Sequence, residues 1–228
     1  MAVNQKKRDS AEATPANEAS RVDEVYQQIL LRIVRGELRG GTELKSTQLA
    51  RQLGLSRTPV VQALQRLAAD GIVLLEVNKR AVVRPGAENW LVEIHQLREL
   101  LEPHAAAAAA GQISDAELDE LDRLAAEARP DAAPDWADAT ERFDFALHLA
   151  IARHAGSFVL GEAIRKCWSF KRLSYAAVPQ DPATMERGYH EHLALLEALR
   201  AHDSETARAA MLFHLRSAAR LRPTATIV

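Results

Sequence analysis

The sequence predicts a mainly α-helical chain in two parts. The first is an N-terminal winged helix-turn-helix of three helices plus a two-stranded wing. The second is an antiparallel helical bundle. Three observations carry this. Residues 46–71 read as helix, Gly-centred turn and second helix; residues 71–85 hold two short strand signals; and beyond Pro85 only helical segments follow.

Residues 1–19, with Lys6, Lys7, Arg8, Pro15 and scattered Ala, Ser, Asn and Glu, lack periodicity and read as a disordered tail. From Val22 to Arg35 the residues Val22, Val25, Ile29, Leu30 and Ile33 recur at helical spacing, and Gly36, Gly40 and Gly41 close that helix. Leu49, Leu53 and Leu55 then surround Gly54, and Ser56 stands where an N-cap is expected, with Pro59 in the first turn of the next helix. That helix turns Val60, Ala63, Leu64 and Leu67 inward and leaves Arg57, Gln62, Gln65 and Arg66 to solvent. Gly71 to Pro85 reads as two strands around a turn at Asn78-Lys79-Arg80. The whole unit spans 20–86. Helices are then expected at about 89–111, 114–128, 135–155, 157–177, 182–201 and 203–221, within a second domain over 87–222 and ahead of a short tail at 223–228. Ser114 with Glu117 forms a capping-box pattern, and Asp203 is placed to cap the last helix.

Charge divides along the same line. Residues 20–86 hold 11 Lys/Arg against 6 Asp/Glu, whereas residues 87–228 hold 15 against 22. A basic module joined to an acidic one suits a polyanion at the front and a different partner behind. A single cysteine, Cys167, leaves no disulfide framework. With no signal peptide and no membrane-length apolar run, the reducing cytoplasm is the expected location.

The second domain carries Asp144-x3-His148, then His192, then His214, each in an expected helix. Residues four apart lie about 40° apart around a helix, so Asp144 and His148 project from one face. One carboxylate and three imidazoles suit a divalent transition metal such as Zn, Ni or Fe, with positions left for water or ligand. Spacing alone leaves two alternatives open. Such a site could activate water in a metal-dependent hydrolase, or the histidines could merely pack in a helical interaction module.

Residues 22–85 resemble the winged helix-turn-helix of GntR-type bacterial transcription regulators. The resemblance runs through Gly41, Leu44, Leu49-Ala50, Leu53 to Val60, Ala63-Leu64 and Arg66-Leu67-Ala68 to Gly71, with Ser56-Arg57-Thr58-Pro59-Val60 its most specific part. Residues 88–222 resemble the all-helical FCD effector domain of the FadR subgroup, where Leu97-Arg98 and Leu101-Glu102 match the opening-helix motif. The resemblance implies a ligand-responsive regulator, not an enzyme, commonly a repressor, that binds operator DNA as a homodimer. It places DNA contacts at Thr47, Ser56, Arg57 and Thr58 and at the wing tip, Asn78, Lys79 and Arg80.

Two departures matter. Val61 and Gln62 stand where Arg and Glu are usual, so Gln62 and Gln65 are left to contact adenine, and Asn78 replaces the usual wing glycine. The metal-binding FCD members carry an Asp-x3-His and two later histidines at positions matched by Asp144, His148, His192 and His214. In them the motif arginine, here Arg98, points into the effector cavity. A small organic acid is the effector this implies, with one oxygen on the metal and its remaining charge on Arg98. An intra-helical pair with Glu102 is the alternative for Arg98, and the two are compatible. Arg172 is a further cavity candidate, although Lys171 and Arg172 read more simply as a solvated helix end.

Overall fold

The computed structural model describes residues 15–75, 80–130, 136–177 and 181–220, and the chain divides into two compact units between Trp90 and Leu91. It is mainly helical with one small antiparallel sheet.

In the first unit α1 spans Pro15–Val34, so helix begins inside the stretch expected to be disordered. The short helix α2 (Ser46–Leu53) ends at Gly54, whose φ of 65° is left-handed and whose N–H returns to the last turn. The next helix, α3 (Arg57–Ala69), buries Pro59, Val60, Ala63, Leu64 and Leu67 and packs on α1, which buries Val25, Ile29, Leu30 and Ile33. Burying a side chain of that size contributes about 1.5–3 kcal/mol, so this apolar seam fixes the outward face of α3.

The wing strands β2 (Val73–Leu75) and β3 (Ala81–Val83) pair antiparallel, with Val73 opposite Val83 and Leu75 opposite Ala81. A third strand, β1 (Glu43–Leu44), adds to the far side of β3, giving the order β1-β3-β2. The expected two-stranded wing is therefore one edge of a three-stranded sheet. Gly40 explains how β1 is held: a Cβ there would lie 2.7 Å from Pro85 Cα, so only glycine lets the loop after α1 close against the end of β3.

The second unit contains α4 (Trp90–Ala109), α5 (Asp115–Glu127), α6 (Trp136–Arg153), α7 (Phe158–Ala177), α8 (Pro182–Arg200) and α9 (Ser204–Arg220). Ser114 accepts from the Glu117 amide at 3.4 Å, but the Glu117 carboxylate turns instead to Arg153 and His154, so only half of the capping box forms. Asp203 caps α9 through the Thr206 amide at 3.0 Å. The core is built from Phe143, Leu147, Ile151, Ile164, Trp168, Leu195, Leu199 and Leu215 together with a buried alanine surface on α4. Pairs α8–α9, α5–α6 and α6–α7 make the main helix contacts, which brings α6, α8 and α9 around one interior point. No helix among the described residues is long and apolar enough to cross a membrane.

Candidate functional site

Asp144 and His148 lie one turn apart on the inner face of α6, and both are buried. His192 from α8 and His214 from α9 meet them there, also buried. Asp144 Oδ1 is 3.3 Å from His148 Nε2 and 3.1 Å from His192 Nε2. His192 Nε2 is in turn 3.3 Å from His148 Nε2 and 3.1 Å from His214 Nε2. One ligand atom from each of the four falls within 4.8 Å of the others.

The outer nitrogens explain why the inner ones converge. His148 places Nδ1 2.5 Å from Glu102 Oε2, and His214 places Nδ1 3.0 Å from Glu191 Oε2. A carboxylate accepts, so each Nδ1 carries the hydrogen and each Nε2 of the neutral ring presents a lone pair inward. His192 sits between those lone pairs, and its own Nδ1 is buried without a hydrogen-bond partner among the described residues. One hydrogen on His192 Nε2 can serve only one neighbour. A divalent cation would engage all four groups at once, so the donor set fits such an ion.

The electrostatics favour the ligating forms. Burial pushes the His148 imidazole below the usual range, and Arg98 adds to this against the pull of Glu102 and Asp144. Burial, reinforced by His192 and His148, holds His214 well below its usual value. Burial works against the Asp144 carboxylate, but His192, His148 and Lys171 outweigh it and hold it well below the usual range. Neutral imidazoles beside an ionised carboxylate are what metal ligation requires.

Arg98 is 2% exposed, bonds Glu102 through Nε at 2.5 Å and lies 4.2 Å from the centre of the Trp168 ring. It also stands with Leu91, Ile94, His95 and Lys171 around a gap that has no room for a water molecule. Lys171 is half-buried there, and the Arg172 side chain lies outside the described residues. The pairing with Glu102 at spacing four is thus formed, and Glu102 and Glu191 emerge as parts of the cluster that residue spacing alone did not single out. In the sequence Glu102 is marked only as the Arg98 partner at spacing four and as part of the opening-helix motif, and Glu191 only by standing next to His192.

On the first unit Thr47, Ser56, Arg57, Thr58, Gln62, Gln65 and Arg80 are exposed, while Asn78 and Lys79 lie outside the described residues. Ser56 occupies the N-cap position of α3 with extended backbone, yet its hydroxyl makes no capping bond. Val61 is 36% exposed on the same helix. Arg66 is exposed as expected, and it also pairs with Asp23 and lies 4.4 Å over the Tyr26 ring, which ties α3 back to α1.

A winged helix-turn-helix joined to an all-helical bundle with a buried ligand cluster defines a two-domain bacterial transcription regulator. The chain matches the family model "Bacterial regulatory proteins, gntR family" over residues 21–83 and the model "FCD domain" over residues 93–217. It belongs to the GntR family of regulators and carries an FCD effector domain.

Relatives include the HTH-type transcriptional regulator LutR of Bacillus subtilis, 29% identical over 213 residues that cover 80% of this chain and 92% of LutR. Another is the "Probable D-xylose utilization operon transcriptional repressor" of Paenarthrobacter nicotinovorans, 28% identical over 197 residues covering 82% of each chain. Among solved structures, Escherichia coli McbR/YncC superposes with a TM-score of 0.60 at 25% identity, covering 87% of this chain and 94% of that one.

Proposed function

We propose that this regulator is a metal-dependent repressor that senses a small organic acid. Asp144, His148, His192 and His214 hold a divalent transition metal, and the convergence of their four ligand atoms inside the bundle is the observation that carries the reading. The ion supplies a Lewis-acidic position for a carboxylate oxygen. Arg98, on α4 and beside Lys171, supplies positive charge for the rest of the anion.

At the other end of the chain, Arg57 and Gln62 read base edges, Thr47, Ser56 and Thr58 fix α3 on phosphates, and Asn78, Lys79 and Arg80 do so from the wing. Two copies bind a palindromic operator, because one recognition helix reads too few base pairs for specificity. The acid releases DNA by favouring an arrangement of the two copies that binds the operator less well.

The test is a thermal-shift screen of small carboxylates on the purified full chain, with and without chelator, in wild type and Asp144→Ala. Stabilisation by an acid that needs both the metal and Asp144 supports the reading. No bound metal in the purified protein, with Asp144→Ala indistinguishable from wild type, overturns it.

A further inference from the structure

Glu102 is a heavily used buried acceptor in the second unit. It is fully buried on α4, and its two oxygens take hydrogen bonds from three other residues. Oε1 accepts from Arg98 Nε at 2.5 Å and from Trp168 Nε1 at 3.0 Å. Oε2 accepts from His148 Nδ1 at 2.5 Å and, more weakly, from Arg98 Nη2 at 3.4 Å. A carboxylate offers about four lone-pair sites, so this one is fully committed.

We propose that Glu102 is the positioning residue of the cation site, and that it joins His148 to the Arg98–Trp168 pair so that occupancy at one is felt at the other. This rests on the reading of the four-residue cluster as a metal site. His148 can offer Nε2 to a cation only while its hydrogen sits on Nδ1, and Glu102 is what holds it there. A cation on Nε2 draws charge from the ring and makes Nδ1–H a stronger donor. Glu102 then leans toward His148 and loosens its hold on Arg98 and Trp168. The Trp168 ring is well placed to register the change, since its centre lies 4.5 Å from that of His148 and its N–H ends on the same carboxylate. Glu191 does the corresponding work for His214, accepting from its Nδ1 at 3.0 Å.

The test uses the full chain and Zn2+ alone. Zn2+ affinity is measured by competition with a chromophoric chelator, fold by far-UV circular dichroism, and the environment of Trp168 by its emission, identified by difference from Trp168→Phe. Glu102→Gln places an amide N–H2 among three donors. It is expected to lower Zn2+ affinity by about tenfold to a hundredfold. It is also expected to lose the Zn2+-linked change in Trp168 emission even at saturating metal, a loss that a purely structural role for Glu102 would not produce. If that variant does not fold, Glu102→Asp decides the matter, because it keeps the charge but withdraws it from His148; the same weakening is expected. Equal Zn2+ affinity and an unchanged emission response in the folded variant overturn the proposal while leaving the metal site standing. A wild-type chain that takes up no Zn2+ overturns the metal site itself, and this inference with it.

Discussion

Tyr26 donates a hydrogen bond across 2.7 Å to Asp70, the residue that ends the recognition helix. Together with Arg66 over the Tyr26 ring and its pair to Asp23, this bolts α3 to α1 at its far end. At the front end of α3, Arg57 and Thr58 are exposed.

The Tyr26–Asp70 bond makes stability depend on alkaline pH. Burial first, and then the Asp70 carboxylate, push the Tyr26 phenol far above its ordinary value. A raised value in the folded state means the contribution is fully present below the unfolded value, near pH 10, and is lost as pH climbs beyond it. Tyr26→Phe should cost about 1 kcal/mol at neutral pH. Between pH 8 and pH 11 it should lose less melting temperature than wild type. Equal alkaline losses in the two proteins would remove Tyr26 as the cause.

Val61 stands exposed on α3 beside Gln62, where an arginine is usual in the resembling regulators. Val61→Arg is expected to tighten operator binding or shift base preference, with a steeper salt dependence from the added charge. Gel-shift titration against a set of half-site variants at two fixed salt concentrations measures this. No change in affinity, preference or salt slope would show that this position does not meet DNA.

Gly161 marks the tightest helix contact in the second unit. A Cβ on it would press into the carbonyl oxygen of Ala152, where α7 crosses α6. Gly161→Ala should therefore destabilise the bundle by about 1–3 kcal/mol, despite alanine's better helix propensity. Calorimetry of the full chain resolves it. A rise in melting temperature would mean the two helices part without cost.

Cys167 is 2% exposed, and burial, with the nearby Glu102 charge, pushes its thiol up to about 11. At pH 8 roughly one thiol in a thousand would be thiolate even if reagent could reach it. The native protein should resist alkylation over hours and react at once in denaturant. Fast native labelling would show that α7 opens locally.

Much of this molecule was legible in the sequence, for reasons that differ element by element. The α3 seam follows from Val60, Ala63, Leu64 and Leu67 at helical spacing, and Asp144 and His148 share a face because four residues nearly complete a turn. Other features depend on partners far away along the chain. Arg66 reads as solvent-facing, and it is, but its pair with Asp23, 43 residues distant, cannot be seen locally. Glu102 meets His148 across 46 residues and Trp168 across 66, separations that no local pattern encodes. Strand β1 is two residues long, too short for alternation to show. It forms because Gly40 lets the chain lie against β3.

The alanines of α4 have a meaning beyond filling space. That helix buries His95, Arg98 and Glu102, and after Glu102 its C-terminal half buries Ala105, Ala106, Ala107 and Ala109. The small residues act as a spacer gauge: they set how closely α4 approaches its neighbours, and so how deep the carboxylate of Glu102 reaches. A single added methyl group in that half would retune the depth without altering any group that carries charge. Descendants of this chain have a route to new ligand preferences that leaves every charged and ligating side chain in place.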